Sequence, residues 1–547
     1  AFIKYHHQSL SDIHLNSNKV VELQANGSMQ YVWVFAITAL FILLIACVNF
    51  MNLSTARSSL RAREVGVRKV LGSMRSTLIK QFLTESMLMT ALAFVLGLAL
   101  AQLALPYYNE LADKQLALPL SQPVFWVISL LSIGAVGLLA GSYPAFFLSG
   151  FKPIQSLSGK LFQRRSSFNL RNGLVVFQFL IAILLIIGTI VINQQMHFIQ
   201  NTKLGFEREQ VLILDNAEPL REKAQTLKQQ LLNNASIQHV TISGYLPIPS
   251  YRSDSPLCKS SQITDGNCVQ TQFWDIDEDY LNTFEMELLS GRNFNPEMGG
   301  DSAAVILNET AARQFGFGNP IGQKVYRNLE LSDPTTELLS YTVIGVVKDF
   351  HFESLRENIS AVSMWLDPAP GFISMKVETD DLTNLLASVE QEWKAVAPDL
   401  PFAYRFMDDS FNQMYRQEQR ISSIISLFSG LSIFIACLGL FGLAAFSTER
   451  RTKEIGVRKV LGASVVNLVA LLSKDFLRLV AISLLIAIPL AWYAMNNWLA
   501  DFAYRTDIKW WTFALAGAGA LLIAFLTVSF QSIKAALMNP VKSLRSD

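Results

Sequence analysis

Charge is scarce in this chain. Of 547 residues only 16% are Asp, Glu, Lys or Arg, while 51% are hydrophobic, a balance that excludes an ordinary water-soluble protein. The usual signatures of catalysis are missing as well. There is no Gly-x-Ser-x-Gly elbow to present a hydrolase nucleophile, and no Gly-x-x-x-x-Gly-Lys-[Ser/Thr] loop to cradle ATP phosphates. The six histidines (His6, His7, His14, His197, His239 and His351) show no metal-ligand spacing, and His6-His7 stands too isolated for a zinc site. His351, set between Asp349 and Glu353, reads as a solvated turn rather than a catalytic cluster. The expectation is a chain that is not an enzyme and holds no metal or cofactor of its own. A net charge of +1 supplies no surplus for polyanions, so nucleic acid is not an expected partner.

Cysteine is rare too, with four in all. Cys47 and Cys437 lie 390 positions apart in apolar runs and read as small packing residues. Cys258 and Cys268 lie in a polar region, where an oxidising compartment permits a disulfide; bridged and free states both stay open.

What the chain has in abundance is long apolar runs. Segments of about 20 residues cross about 30 Å of hydrocarbon, and seven candidates lie near 31–54, 83–107, 124–149, 172–194, 421–447, 476–500 and 511–533. No acidic or basic residue falls well inside them, which argues against an ion-coupled carrier. Asn49, Asn52 and Gln178 are the strongest polar intrusions, read as inter-helix hydrogen-bonding groups. Basic residues cluster after the first span (Arg57, Arg61, Arg63, Arg68, Lys69), after the third (Lys152, Lys160, Arg164, Arg165), after the fifth (Arg450, Arg451, Lys453, Arg458, Lys459) and in the tail (Lys534, Lys542, Arg545). All of these loops share one side, which the positive-inside rule makes cytoplasmic. The N-terminus and the 195–420 region are therefore outside.

The chain is internally duplicated. Glu64-Val-Gly-Val-Arg-Lys-Val-Leu-Gly-Ser73 returns as Glu454-Ile-Gly-Val-Arg-Lys-Val-Leu-Gly-Ala463, eight of ten residues identical at an offset of 390. Glu85 and Asp475 are equivalent at that offset, and the exits after the third and seventh spans match at an offset of 387. The second half reads as span, large domain, three spans. The first half shows three spans preceded by residues 1–30, which read as the tail of an outside domain. One span and one outside domain are thus expected to precede the sequence.

The 195–420 region reads as α+β. Strands are expected at 211–214, 240–243, 303–307, 341–348 and 372–377, helices at 220–234, 277–284 and 382–397, with a subdomain inserted near 295–370. The runs at 193–199 and 409–419 continue into the adjoining spans without a breaker, predicting two continuous stalk helices.

Read as a helix, 64–74 places Val67, Val70, Leu71 and Met74 on one face at i, i+3, i+4 and i+7. Glu64 and Arg68 pair at i, i+4, and Gly72 is a natural stop. The second copy repeats this with Val457, Val460, Leu461, Glu454, Arg458 and Gly462. A short amphipathic cytoplasmic helix fits a groove on a soluble partner, although a helix of this kind also suits a lipid surface. Two near-identical copies favour a two-fold symmetric partner.

The pattern between two spans resembles the coupling-helix region of the FtsX-like and MacB-like permeases of ABC transporters. The large outside domain resembles theirs too, with Gly291-Arg-Asn-Phe294, Ile306-Leu-Asn-Glu-Thr310, Pro320-Ile-Gly322 and Ile344-Gly-Val-Val-Lys-Asp-Phe350. The resemblance implies an α-helical integral membrane protein with an α+β extracytoplasmic domain. Its parts would be a periplasmic tail at 1–30, a three-span FtsX-like bundle at 31–171, the first span of the second unit at 172–194, a MacB-like periplasmic core at 195–420 and a second bundle at 421–547. It further implies that Glu64, Gly66, Val67, Arg68, Lys69, Leu71 and Gly72, with Glu454, Gly456, Val457, Arg458, Lys459, Leu461 and Gly462, dock on two copies of a cytoplasmic ATPase that binds ATP and Mg. Export of a peptide, antibiotic or lipid-linked molecule from the inner membrane follows as the expected work, with a periplasmic adaptor and an outer-membrane protein as further partners. Regulation of a cell-wall hydrolase without transport is the alternative.

Overall fold

The computed structural model describes residues 9–16, 27–149, 166–249, 252–261, 266–327 and 338–537. The exits at 151–157 and 539–544 and the basic residues Lys152, Lys160, Arg164, Arg165, Lys542 and Arg545 lie outside the described residues, as do His6 and His7. The chain forms two compact units. One is the membrane unit (Ser28–Met196, Gln419–Leu499 and the helix that follows residue 507); the other is an extracytoplasmic unit comprising Ala1–Gly27, His197–Glu418 and Ala500–Thr506.

Among the described residues, seven helices are long and apolar enough to cross a membrane. Spans one to seven lie in Met29–Val70, Arg75–Ala112, Pro123–Ser149, Ser166–Asn201, Arg416–Arg450, Val465–Leu499 and Trp510–Ala536. The helices of spans two and six start well before the apolar runs at 83 and 476, because their first turns are amphipathic. The 64–72 segment, expected as a separate helix, is instead the end of the span-one helix, since neither glycine nor proline interrupts 50–65. The second copy does separate: Arg451 adopts φ −94° and ψ 9° between span five and the helix Thr452–Val460. There the Thr452 hydroxyl donates to the Thr448 and Glu449 carbonyls, a back-bond that bends helices.

Spans four to seven pack through small residues, including Ala436, Ala444, Ala487, Ala520 and Ala524, against Phe179, Ile183 and Ile187, the close-approach mode of membrane helices. Spans one and five meet at Gly439, where an added Cβ would stand 2.8 Å from Asn49 Oδ1 and 3.0 Å from Gln178 Nε2. Residues 49 and 439 are repeat equivalents, so the internal pseudo-two-fold axis passes through this contact. Gln178 donates to the Ile435 carbonyl at 3.5 Å. Asn52 is buried, and its amide has no hydrogen-bond partner in the structure, so the inter-helix bonding expected of it is absent.

Among its described residues the extracytoplasmic unit contains eleven strands, β1 (Val211–Leu214), β2 (Ile237–Ser243), β3 (Asp254–Cys258), β4 (Cys268–Ile276), β5 (Leu288–Gly291), β6 (Ala304–Asn308), β7 (Lys324–Arg327), β8 (Leu339–Val347), β9 (Val362–Leu366), β10 (Phe372–Val377) and β11 (Tyr404–Phe406). Strands β11, β1, β10 and β2 form an antiparallel layer. It is covered by helices α1 (Lys223–Leu231) and α2 (Leu382–Val396), which bury Leu227, Leu385 and Trp393 against Val240 and Met375. Strands β4, β3, β7, β8, β6 and β9 pair in a ring closed by β9 on β4, with β5 added to β8. This closed lobe begins at Asp254, earlier than the inserted subdomain expected from 295. Its first strand opens with Asp254, Ser255 and Pro256, and its second places Gln270, Thr271 and Gln272 before Phe273 and Trp274, so neither begins with an apolar run. At Gly291, φ is +81° and a Cβ would stand 2.1 Å from the Ile344 carbonyl oxygen, which only glycine tolerates. Cys258 and Cys268 are paired across β3 and β4 and form a disulfide.

A buried lysine and a half-buried arginine organise this unit. Lys228, 1% exposed, bonds Asp277 at 2.8 Å and Asp279 at 2.6 Å, joining α1 to the end of β4. Arg252 lies between Trp274 and Phe352 at 4.7 and 4.5 Å and donates to the Leu246 carbonyl at 2.8 Å. Burial lowers its pKa to about 10. Asp301 accepts two bonds from Arg292, at 2.7 and 2.6 Å, which hold its carboxyl below the usual range. A depressed carboxylate contributes stability that is present above the unfolded pKa, about 4, and is lost as pH falls through the folded value. Melting scans across the acid range will therefore show the lobe weakening on acidification, and Asp301→Asn will flatten that slope.

Candidate coupling surface

The two copies of the repeated motif end identically. After Val70 the Gly72 N–H donates to the Lys69 carbonyl at 3.1 Å and the Ser73 N–H to that of Arg68 at 2.9 Å. After Val460 the Gly462 N–H donates to Lys459 at 3.1 Å and the Ala463 N–H to Arg458 at 2.9 Å. Both are Schellman ends, which need a left-handed residue, and Gly72 and Gly462 have φ of +97° and +90°. Glu64 pairs with Arg68 at 2.7 Å and Glu454 with Arg458 at 2.8 Å.

One face of each copy is anchored. Val65, 2% exposed, packs with Leu78, Phe82 and Ala145; Ile455, 6% exposed, packs with Leu468, Leu472 and Ala536. Each motif lysine then reaches the carboxyl end of the third span of its own half. Lys69 Nζ donates to the Ser149 carbonyl at 2.6 Å and Lys459 Nζ to the Ala536 carbonyl at 2.6 Å. Ser149 and Ala536 are equivalents at the offset of 387. A cation at a helix C-terminus meets the negative end of the dipole and orphan carbonyls together.

The opposite face is open. Val67 and Val457 are about half exposed, Val70 and Val460 about two thirds, and Leu71 and Leu461 are each 80% exposed. Gly456 is buried beside the anchoring residue Ile455, not on the open face, and Gly66 lies outside the residues whose burial is described. The expected docking residues thus divide into an exposed apolar set (Val67, Leu71, Val457, Leu461), an intrahelical ion pair and an inward lysine. Sequence reasoning missed the anchoring roles of Val65, Ile455, Lys69 and Lys459. The two offsets, read together, were the available signal.

In the extracytoplasmic unit a short segment after β8 contacts the chain next to spans four and five and the link between spans six and seven. The His351 N–H donates to the Leu204 carbonyl at 2.7 Å, just after the span-four helix. The Leu355 N–H donates to the Tyr415 hydroxyl at 2.9 Å, and Arg356 pairs with Glu418 at 3.0 Å. Ala503 and Tyr504, between spans six and seven, donate to the carbonyls of Arg356 and Leu355 at 3.2 and 3.0 Å. The His351 ring lies edge-on to Tyr504 at 4.4 Å, and burial lowers its pKa. His351 is therefore a packed residue of a joint and not the solvated turn expected. The span-four helix is continuous to Asn201, as expected. The second stalk is not, because a helix at Met407–Met414 stops at Tyr415, whose ring packs on Phe411, and span five begins at Arg416. Among the described residues, no cluster of His, Cys, Asp or Glu could hold a metal ion.

Comparison with known proteins matches residues 36–153 and 426–540 to the FtsX-like permease C-terminal family and residues 179–392 to the MacB-like periplasmic core domain. The chain is 22% identical over 281 residues to YknZ, an uncharacterized ABC transporter permease of Bacillus subtilis, covering 49% of this chain and 68% of that protein. It is 28% identical over 124 residues to the macrolide export ATP-binding/permease protein MacB of Campylobacter jejuni, covering 22% of this chain and 19% of that protein. A solved periplasmic region of MacB from Actinobacillus actinomycetemcomitans is 17% identical, covers 38% of this chain and 94% of that chain, and gives a TM-score of 0.28.

Proposed function

The chain belongs to the FtsX-like, MacB-type permeases of ABC transporters, and from that premise we propose that it converts the closure of two ATPase copies into motion of its extracytoplasmic domain to drive export. As a multi-pass inner-membrane subunit of this class it works with an ATPase. No P-loop occurs in these 547 residues, and the reading assigns the binding of ATP and Mg to the ATPase that docks on the two motifs. The single observation that carries the reading is the duplicated cytoplasmic surface: the same exposed apolar residues, ion pair, Schellman end and lysine anchor, at two equivalent places. A two-fold ATPase dimer requires two such handles. The joint at 351–356 supports the second half of the reading, since one segment holds the chain next to spans four and five and the link between spans six and seven. A peptide, antibiotic or lipid-linked substrate is the cargo, handed to a periplasmic adaptor and an outer-membrane protein. The macrolide-export name of the MacB relative supports efflux.

The test is co-purification of the ATPase from detergent with Leu71→Asp and Leu461→Asp combined. Both side chains are mostly exposed, so the fold is untouched. Loss of an apolar anchor at the centre of an interface costs about 2 kcal/mol or more, so recovery of a P-loop subunit should fall by at least about tenfold, with each single change intermediate. Undiminished recovery in the double variant rejects the surface as the docking site.

A further inference from the structure

We propose that the second half of the membrane unit holds a site for one anionic phospholipid of the cytoplasmic leaflet, with its phosphate on Arg478 and Arg451 and an acyl chain along Val176, Leu479 and Ile482. A cavity of about 390 Å³ opens where the first turns of span four, the last turns of span five and the helix of span six meet. Its size suits a headgroup and the start of a chain.

The lining divides by polarity. Asn172, Ser447, Arg451, Asp475 and Arg478 supply polar groups, and Val175, Leu443 and Phe476 continue the apolar wall. Arg451 follows directly on the helix of span five at its cytoplasmic end, so the cavity lies at the depth of the inner leaflet. Charge then selects the occupant. Arg451 pairs with Asp475 at 3.3 Å, which balances one cation, whereas Arg478 makes no ion pair among the described residues. One positive charge is left over beside an apolar wall, the complement of a phosphodiester monoanion with hydrocarbon attached. Basic pockets between spans on the cytoplasmic side recognise such headgroups, and guanidinium forks match phosphate oxygens.

The internal repeat shows that this cation is no requirement of the scaffold. Asp475 has an acidic counterpart in Glu85 and Arg451 a basic one in Arg61, but Arg478 corresponds to Leu88. The site therefore belongs to one half of a duplicated frame. Free phosphate offers the same anionic chemistry; the apolar wall favours the lipid.

Native mass spectrometry of the intact protein tests this with dioleoyl phosphatidylglycerol, dioleoyl phosphatidylcholine and glycerol phosphate. The expected result is one retained phosphatidylglycerol, at least about fivefold more than phosphatidylcholine, consistent with about 1 kcal/mol per basic side chain near a headgroup. Arg478→Gln should cut that retention at least about fivefold, while Lys474→Gln, an exposed neighbour outside the cavity, should leave it unchanged. A monodisperse elution profile verifies that the Arg478 variant is folded. Equal retention of the two lipids, equal losses in both variants, or glycerol phosphate held as strongly as phosphatidylglycerol would each overturn the proposal.

Discussion

Replacing Lys228 by Met will destabilise the extracytoplasmic unit by about 3–5 kcal/mol, the cost of leaving a buried carboxylate unpaired. In a unit of this size that lowers the melting midpoint by about 10 °C. Asp277 is 2% exposed and also accepts the Thr241 hydroxyl and, at 2.7 Å, the Ile242 N–H. Burial works against the ammonium of Lys228, but Asp277 with Asp279 outweighs it and holds its pKa above the ordinary value. The lysine therefore stays charged across the physiological range, and its loss is felt at neutral pH. Adding Asp277→Asn to Lys228→Met removes the orphaned charge while keeping an acceptor for Thr241 and Ile242. The double variant should regain most of the midpoint, because a buried ion pair is worth little beyond the cost of breaking it on one side. Thermal melting of the detergent-solubilised protein measures both. A double variant no more stable than Lys228→Met would refute this account of the pair.

The second large effect is at the lysine anchors. Changing Lys69 and Lys459 together to Met removes two charge-assisted bonds, each worth about 1.5–3 kcal/mol. Met keeps most of the apolar stem. Local opening of each motif should then speed backbone hydrogen exchange at 64–72 and 454–462 by roughly tenfold to a hundredfold, with span six unaffected. The exposed Leu71 and Leu461 remain, but on a surface no longer held at the end of the third span, so ATPase recovery should also fall. Exchange indistinguishable from the unaltered protein would show that Val65 and Ile455 suffice to hold the motifs.

Much of this follows from short-range information. Apolar runs of bilayer length, basic loops on alternate turns and a ten-residue repeat are all local patterns. They yielded seven spans, their orientation and a duplicated amphipathic handle with glycine stops. The α+β reading of the outer region found β1, β10 and α2 for the same reason: each is an apolar strand or an amphipathic helix with its signal inside its own residues. Strands such as β3 and β4 were missed, because Ser255 and Pro256 in one and Gln270, Thr271 and Gln272 in the other interrupt any apolar run, and their pairing partners make them strands.

What the sequence determined by itself, then, is which segments enter the membrane, which side faces the cytoplasm and which ten residues are presented twice. Tertiary structure alone decided that Lys69 and Lys459 turn inward to carbonyls 80 and 77 positions away. It also closed β9 on β4, joined Cys258 to Cys268, stopped the second stalk at Tyr415 and brought residues 351–356 to Leu204, Tyr415, Glu418 and Tyr504. The division has one physical cause. Burial in lipid and helix periodicity act on neighbouring residues, whereas the partner of a buried cation, a ring-closing strand or a buried tyrosine hydroxyl is supplied by whatever the fold brings near it.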